Sequence, residues 1–168
     1  GEPVTRNFAK SYRLGLELEA AYQPVDWFRW DFNTTLSRNR VSDVPVLLTN
    51  KTTTVLKGEK PLAFSPDVMF NNIFTFNYKG LKAMMINRFV GEQYMTNTGF
   101  KTMETKDENG NTTFDTIMLK SFFTTDIDLS YNFSCKKMGV KDATVGFTVY
   151  NLFSCKYDTN GWAAPQYV

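Results

Sequence analysis

Two glutamates, Glu17 and Glu19, stand two positions apart in the stretch YRLGLELEAAYQ (residues 12–23). Paired carboxylates serve general acid–base catalysis in many hydrolases. The chain offers no second catalytic element to work with them, because it contains no histidine and only two cysteines. A Ser-His-Asp triad, a Cys-His pair and a zinc site therefore cannot be assembled. We expect no enzyme activity, no catalytic residue, no metal and no cofactor.

A second candidate lies in DENGNTT (residues 107–113), where Asp107, Asn109 and Asn111 faintly resemble a calcium-binding loop. The glycine and the terminal glutamate that an EF-hand loop needs are missing from their positions. Asn109-Gly110 is instead a strong signal for a two-residue hairpin turn. We therefore predict a hairpin tip rather than a calcium site.

The spacing of the apolar residues indicates which element positions the two glutamates. Leu, Glu and Ala favour a helix by propensity, but apolar residues occupy every second position from Tyr12 to Tyr22. On a helix, with about 100° per residue, the leucines would scatter around the axis. On a strand they form one apolar face and leave Glu17 and Glu19 on a polar face. The stretch is therefore predicted as a strand.

The same alternation recurs along the chain. It is found in WFRWDFNTTLSRNR (27–40), DVMFNNIFTFNY (67–78), DIDLSYNF (126–133) and ATVGFTVYNLF (143–153). Leu81–Thr96 is predicted as a further strand. Its register stays open, because the consecutive apolar residues Met84, Met85 and Ile86 blur the alternation. The polar stretches Val41–Ser65 and Asn97–Lys120 are predicted as loops. The predicted fold class is all-β, an antiparallel up-and-down meander of about six long strands.

Alternation alone does not decide which face is wet. Segments of about ten or more residues, short turns alternating with long loops, and aromatic residues near strand ends are features of outer-membrane barrels. In such a barrel the charged face lines a hydrated lumen, because Arg or Lys facing lipid at the midplane costs about 2–4 kcal/mol. The lumen-facing candidates are Arg13, Glu17, Glu19, Arg29, Asp31, Asp126 and Asp128. A soluble lipocalin-like barrel or sandwich gives the same pattern and stays open.

The overall composition limits the partners. The net charge of +2 and the pI near 8.5 are too balanced to indicate nucleic acid. The sequence contains no run of 18 apolar residues, so it predicts no membrane-spanning helix.

Four stretches carry a family resemblance. They are KSYRLGLELEAAYQP followed by DWFRWDFNTTLSRNR; FSPDVMFNNIFTFNYKGLKAMMINRFVGEQYMTNT; DIDLSYNF; and VYNLFSCKYDTNGW. In this order they resemble the C-terminal β-barrel part of a TonB-dependent outer-membrane receptor of the Bacteroidetes type. The resemblance spans nearly all of the chain except the two long loops.

The resemblance implies a segment of a 22-stranded transmembrane β-barrel. Residues 1–168 would form one partial barrel domain, without the plug domain and the final strand. It implies transport of a scarce nutrient, of the iron–siderophore, haem or cobalamin type, across the outer membrane of a Gram-negative bacterium. TonB would energise this transport through the absent plug region, and outer-membrane lipid and the small nutrient ligand would be the other partners.

The seven charged candidates would then contact the plug or the passing substrate, although simple solvation of a wet wall explains each of them as well. A SusC-like glycan importer, a passive porin, and a soluble or surface-exposed β-domain that binds a ligand or partner without transport remain the alternatives.

The two cysteines are predicted to be free. Cys135 falls in a turn and Cys155 past the far end of the next strand. A strand of about twelve residues would hold them tens of ångströms apart, whereas a disulfide needs Cα atoms within about 7 Å.

Overall fold

The structure is a computed structural model that describes residues 10–47, 53–135, 137 and 139–161. Its strands are β1 (Ser11–Val25), β2 (Phe28–Leu47), β3 (Thr53–Pro61), β4 (Val68–Tyr78), β5 (Leu81–Val90), β6 (Gln93–Tyr94), β7 (Thr102–Lys106), β8 (Thr112–Thr116), β9 (Met118–Leu119), β10 (Phe122–Cys135) and β11 (Val140–Val149). Among the described residues no helix is long and apolar enough to cross a membrane.

One antiparallel sheet contains all the long strands. Its order is β1-β2-β4-β5-β10-β11, with β3 paired to the far part of β2. Two-residue connections join β1 to β2 and β4 to β5, whereas the other ends of the strands lead into the long connections. We call these two ends of the sheet the turn end and the loop end. The predicted all-β antiparallel meander of about six long strands is confirmed.

The register divides the sheet into two faces, because directly paired residues point to the same side. Leu16 pairs with Leu36 and Trp30 with Phe74, which continues the apolar face from β1 into β4. Over most of its extent this apolar face is open rather than packed: Leu14 is 67% exposed and Leu16 is 53% exposed. The sheet therefore encloses no sealed interior among the described residues.

The register that the sequence left open is now fixed. Met84, Ile86 and Arg88 of β5 lie on the polar face, because they pair with Asp128, Asp126 and Thr124 of β10. Met85, Asn87 and Phe89 lie on the apolar face. The alternation was blurred because β5 carries apolar side chains on both faces.

The buried apolar side chains lie at the loop end of the sheet and in the long connections. Val41, Val44, Ile117 and Leu119 are at most 4% exposed, and all four belong to the loop end of the chain. A backbone hydrogen bond from Phe64 N–H to the Tyr94 carbonyl, at 2.9 Å, joins the two long connections there. Another, from Met95 N–H to the Ile117 carbonyl at 3.0 Å, closes the second connection on itself. The loop end is therefore a packed unit with its own small core.

The two predicted loops contain strands. Residues 41–65 include the last seven residues of β2 and all of β3, and residues 97–120 include β7, β8 and β9. The pattern hid the β2–β3 hairpin because the register shifts between Ser42 and Val44, where Asp43 has a φ of 58°, and because Gly58 has a φ of 84°. Each such irregularity moves the following side chains to the other face.

The hairpin predicted at residues 107–113 is confirmed, but its two-residue turn is wrong. Gly110 N–H donates to the Asp107 carbonyl, and Asp107 N–H to the Asn111 carbonyl, both at 3.0 Å. Gly110 has a φ of 82°, whereas Asn109 does not have positive φ. The connection is a tight turn followed by a left-handed glycine, which is the usual three-residue hairpin loop.

Candidate functional site

The seven charged candidates all lie on the polar face. Asp31 of β2 pairs with Ile73 of β4, which pairs with Ile86 of β5, which pairs with Asp126 of β10. The remaining five lie an even number of positions along the strand from Asp31, from Asp126 or from Ala21, which pairs with Asp31: Arg13, Glu17, Glu19, Arg29 and Asp128. The sequence prediction that they share one face is therefore correct.

Arg29 and Asp31 form an ion pair on β2. The Arg29 Nε donates to Asp31 Oδ2 at 2.8 Å and Oδ1 at 3.0 Å. The two side chains, together with Glu19, Ala21 and Asn33, line an open depression of about 390 Å³. This depression is open to a solute on the polar face.

Asp126 is buried, and both of its carboxylate oxygens have partners within the protein. It is therefore not available to a ligand in the lumen. It is 6% exposed. Its Oδ1 accepts the backbone N–H of Asn151 at 2.8 Å, and its Oδ2 lies 3.3 Å from Arg88 Nη1. The carbonyl of the neighbouring Thr125 accepts the N–H of Leu152 at 2.7 Å. Asp126 therefore anchors the chain that follows β11 to the wall.

The turn that Asp126 anchors is built around Asn151. The Asn151 side-chain oxygen accepts from Cys155 N–H, and its Nδ2 donates to the Cys155 carbonyl, both at 2.9 Å. Asn151 has a φ of 49°, a conformation that asparagine tolerates better than most residues. Only an amide side chain supplies both the donor and the acceptor at this reach. The sequence carried this signal in its Asn-Leu-Phe motif, but not the link to Asp126.

The other four candidates differ in whether they have partners within the protein. Asp128 Oδ2 accepts from the Thr148 hydroxyl at 2.7 Å. Within the part of the chain that the structure describes, Arg13, Glu17 and Glu19 make no ion pair. All three are exposed. They are charges of this face that are available to a second molecule.

Sequence reasoning also missed a polar row on the apolar face. Asn72 and Asn87 pair across β4 and β5, and Asn87 pairs with Thr125 of β10. The Trp30 Nε1–H donates to Asn72 Oδ1 at 3.0 Å, and the Thr125 hydroxyl donates to Asn87 Oδ1 at 2.8 Å. These bonds satisfy side chains that otherwise carry a high desolvation cost on an apolar surface.

Both cysteines are free: Cys135 at the turn end of β10 and Cys155 beyond the loop end of β11. Among the described residues, no group of three or more His, Cys, Asp and Glu side chains could hold a metal ion.

Comparison with known proteins gives one family. No curated protein and no solved structure gives a significant match. The family model described as "TonB dependent receptor-like, beta-barrel" matches residues 2–152, which is most of the chain. TonB-dependent receptors are transporters of the Gram-negative outer membrane rather than enzymes. With its long antiparallel strands and its open apolar face, the chain belongs to the TonB-dependent receptor-like β-barrel family.

Proposed function

We propose that this chain forms part of the barrel wall of a receptor that imports a scarce nutrient across the outer membrane, energised by TonB. The observation that carries the proposal is the division of the sheet into an exposed apolar face and a charged face. In a barrel of this family the apolar face meets hydrocarbon and the charged face encloses the lumen.

The cost of the opposite arrangement supports this orientation. With the faces reversed, Arg88, which lies in the same row as Asn33 near the middle of the strands, would point into lipid at a cost of about 2–4 kcal/mol. Arg13 and Arg29 would also point outward, nearer the two edges of the hydrocarbon layer, where the cost is smaller. The exposed leucines of β1 would then lie in water. The orientation proposed here removes both penalties at once.

Within the lumen, we assign contact with the plug or the cargo to the available charges of β1 and β2. These are Arg13, Glu17 and Glu19, with the Arg29–Asp31 pair beside the open depression. Asp128, which accepts a hydrogen bond from Thr148, makes the β10 part of the wall hydrophilic. Asp126 is a structural anchor in this assignment, because both of its oxygens are engaged.

The loop end faces the cell exterior in this proposal. The packed unit around Val41, Val44, Ile117 and Leu119 then forms a fixed rim on this side of the barrel. The β7–β8 hairpin projects from that rim, with Phe114 68% exposed. A rim of this kind positions cargo at the mouth before it enters the lumen.

The cargo we propose is of the iron–siderophore, haem or cobalamin type, taken up by a receptor of the Bacteroidetes type. TonB would act through a plug region of the same receptor. The decisive test uses a strain that lacks the gene, compared with the same strain carrying it. Growth on limiting ferric siderophore, haem or cobalamin is expected to need the gene and to stop when the proton gradient is dissipated. Gene-dependent growth on an oligosaccharide alone would contradict the proposed cargo class.

The orientation of the wall is tested separately. A fluorophore on Leu16→Cys is expected to be quenched by spin-labelled lipid, and one on Glu17→Cys by aqueous iodide, in a background without Cys135 and Cys155. The two positions are adjacent, so each is the matched control for the other. Equal quenching of both labels by iodide would contradict the barrel orientation.

A further inference from the structure

A cluster of charged side chains lies at the loop end of the apolar face. Arg38 donates from Nε to the Tyr12 hydroxyl and from Nη2 to Glu59 Oε2, both at 2.9 Å. The Tyr12 hydroxyl also donates to Glu59 Oε2 at 3.1 Å. Because Leu14 pairs with Arg38 and Tyr12 with Arg40, these residues continue the apolar face of β1 and β2. They therefore point the same way as the leucines.

A second ion pair extends the cluster. The Arg40 guanidinium binds Asp67 through two parallel hydrogen bonds of 3.0 and 2.9 Å. The exposed Lys10 lies one alternation step beyond Tyr12, and its carbonyl accepts the N–H of Ser42. We call these residues the outer cluster: Lys10, Tyr12, Arg38, Arg40, Glu59 and Asp67. Three cations against two carboxylates give it a net charge of +1.

The position of the outer cluster along the strands matches the edge of a hydrocarbon layer. Ten positions separate Phe28 from Arg38 on β2, and ten separate Tyr22 from Tyr12 on β1. At about 3.3 Å per residue and a tilt near 40°, ten residues rise about 25 Å, which is the height of the apolar band of such barrels. The outer cluster therefore lies at the level of the lipid headgroups. This step depends on the proposed barrel orientation.

Arg38 is held with one edge open. Its Nε and Nη2 are bonded, whereas its Nη1 makes no hydrogen bond to the described residues, and the side chain is 59% exposed. The Tyr12 and Glu59 bonds fix the plane of the guanidinium, so the open edge is oriented before any ligand arrives. A fixed guanidinium edge fits phosphate, because two of its N–H groups can bind two phosphate oxygens.

We propose that the outer cluster binds the phosphate of an anionic lipid headgroup in the outer leaflet, through the open edge of Arg38. Lys10 supplies the net positive charge, and the leucines directly below pack against the acyl chains of the same lipid. Glu59 orients Arg38, but its negative charge also repels the phosphate and so lowers the affinity for the lipid.

The test measures lipid binding to the protein purified from outer membranes and stripped of lipid in a mild detergent. Native mass spectrometry counts bound phosphatidylglycerol, with phosphatidylcholine as the comparison lipid. Arg38→Gln is expected to lower the phosphatidylglycerol-bound fraction about fivefold, since one basic group near a lipid surface contributes about a factor of five. Arg13→Gln is the matched control: it removes the same charge at nearly the same level, but from the polar face, and is expected to leave binding unchanged.

Glu59→Gln provides an effect of the opposite sign. It removes the repelling carboxylate while keeping a side chain that can accept from Arg38, so phosphatidylglycerol binding is expected to rise about twofold. This variant keeps the proposal falsifiable if Arg38→Gln does not fold, which its mobility on unheated gels reveals.

Three results would overturn the proposal: equal phosphatidylglycerol binding by the Arg38→Gln and Arg13→Gln proteins, no gain in Glu59→Gln, or equal binding of the two lipids by the parent protein. A fourth result, binding of inorganic phosphate by a protein that binds neither lipid, would assign the site to free phosphate and overturn the lipid assignment. Nutrient-dependent growth of the Arg38→Gln strain is expected to be normal, so loss of lipid binding and loss of transport are separate outcomes.

Discussion

Asn151 donates its backbone N–H to the carboxylate of Asp126 at 2.8 Å, across 25 positions of sequence. Through this bond, Asp126 on the polar face holds the turn that follows β11. The bond also explains why Asp126 is buried while Glu17 and Glu19, on the same face, are exposed.

Asn151→Asp is expected to destabilise the fold. The substitution removes the Nδ2 donor to the Cys155 carbonyl and brings a second carboxylate close to Asp126. We expect a loss of about 1–3 kcal/mol in the free energy of unfolding, measured by urea titration of the protein in lipid vesicles. Asn77→Asp, an exposed position on the same face, is the control and is expected to change the free energy little. An equal effect of both substitutions would contradict the anchoring role.

Thr125→Val is expected to cost more alone than together with Asn87→Leu. The single change leaves the nearly buried Asn87 oxygen without its donor, which costs about 1–3 kcal/mol. The double change removes both polar partners from the apolar face, so much of that loss should be recovered. A double-mutant cycle on unfolding free energies measures the coupling, and additive losses would contradict this account of the polar row.

Gly80→Ala is expected to be more harmful than Gly110→Ala. Both glycines have positive φ, 85° and 82°, so each substitution carries a backbone cost of about 1–2 kcal/mol. A Cβ at Gly80 would also lie 2.6 Å from the Asn132 carbonyl oxygen, whereas nothing lies within 4 Å at Gly110. The thermal midpoint of the Gly80 variant should therefore fall further. Equal midpoints would show that the strand next to the turn can shift.

The tip of the β7–β8 hairpin is expected to loosen in acid. Hydrogen bonds from the Asn111 side chain and backbone lower the pKa of Asp107 below its ordinary value. A carboxylate with a lowered pKa stabilises the folded form above its unfolded pKa, near 3.9, and this contribution is lost as the pH falls through the lower folded pKa. Amide exchange at residues 109–111 should speed up, relative to its intrinsic rate, below about pH 4. Asp107→Asn should abolish this pH dependence, and its persistence in that variant would contradict the assignment.

Sequence patterning predicted the strands whose two faces differ sharply. In β1 the leucines and glutamates alternate without interruption, so both the element and its polar face were predictable. β5 was predicted as a strand, but its register stayed open because Met84 and Ile86 make its polar face partly apolar. The β2–β3 hairpin resisted prediction because the irregularities at Asp43 and Gly58 break the period.

The candidate site shows a similar limit. Alternation predicted the face on which all seven charged side chains lie. It did not predict which of them have hydrogen-bond or ion-pair partners. Asp126 and Glu19 look alike in sequence, since both are acids on strands. What distinguishes them is a partner 25 positions away, which local patterning does not reveal.

The placement of the buried aliphatic side chains has a thermodynamic consequence. Val41, Val44, Ile117 and Leu119 are shielded by protein, whereas the leucines of the wall are exposed. Melting of the loop end transfers aliphatic groups into water and carries a positive heat-capacity change. Loss of strand pairing within a bilayer leaves the wall side chains in hydrocarbon and adds little to that change. The two halves of this chain therefore respond differently to temperature, and the loop end is the half that cooling weakens.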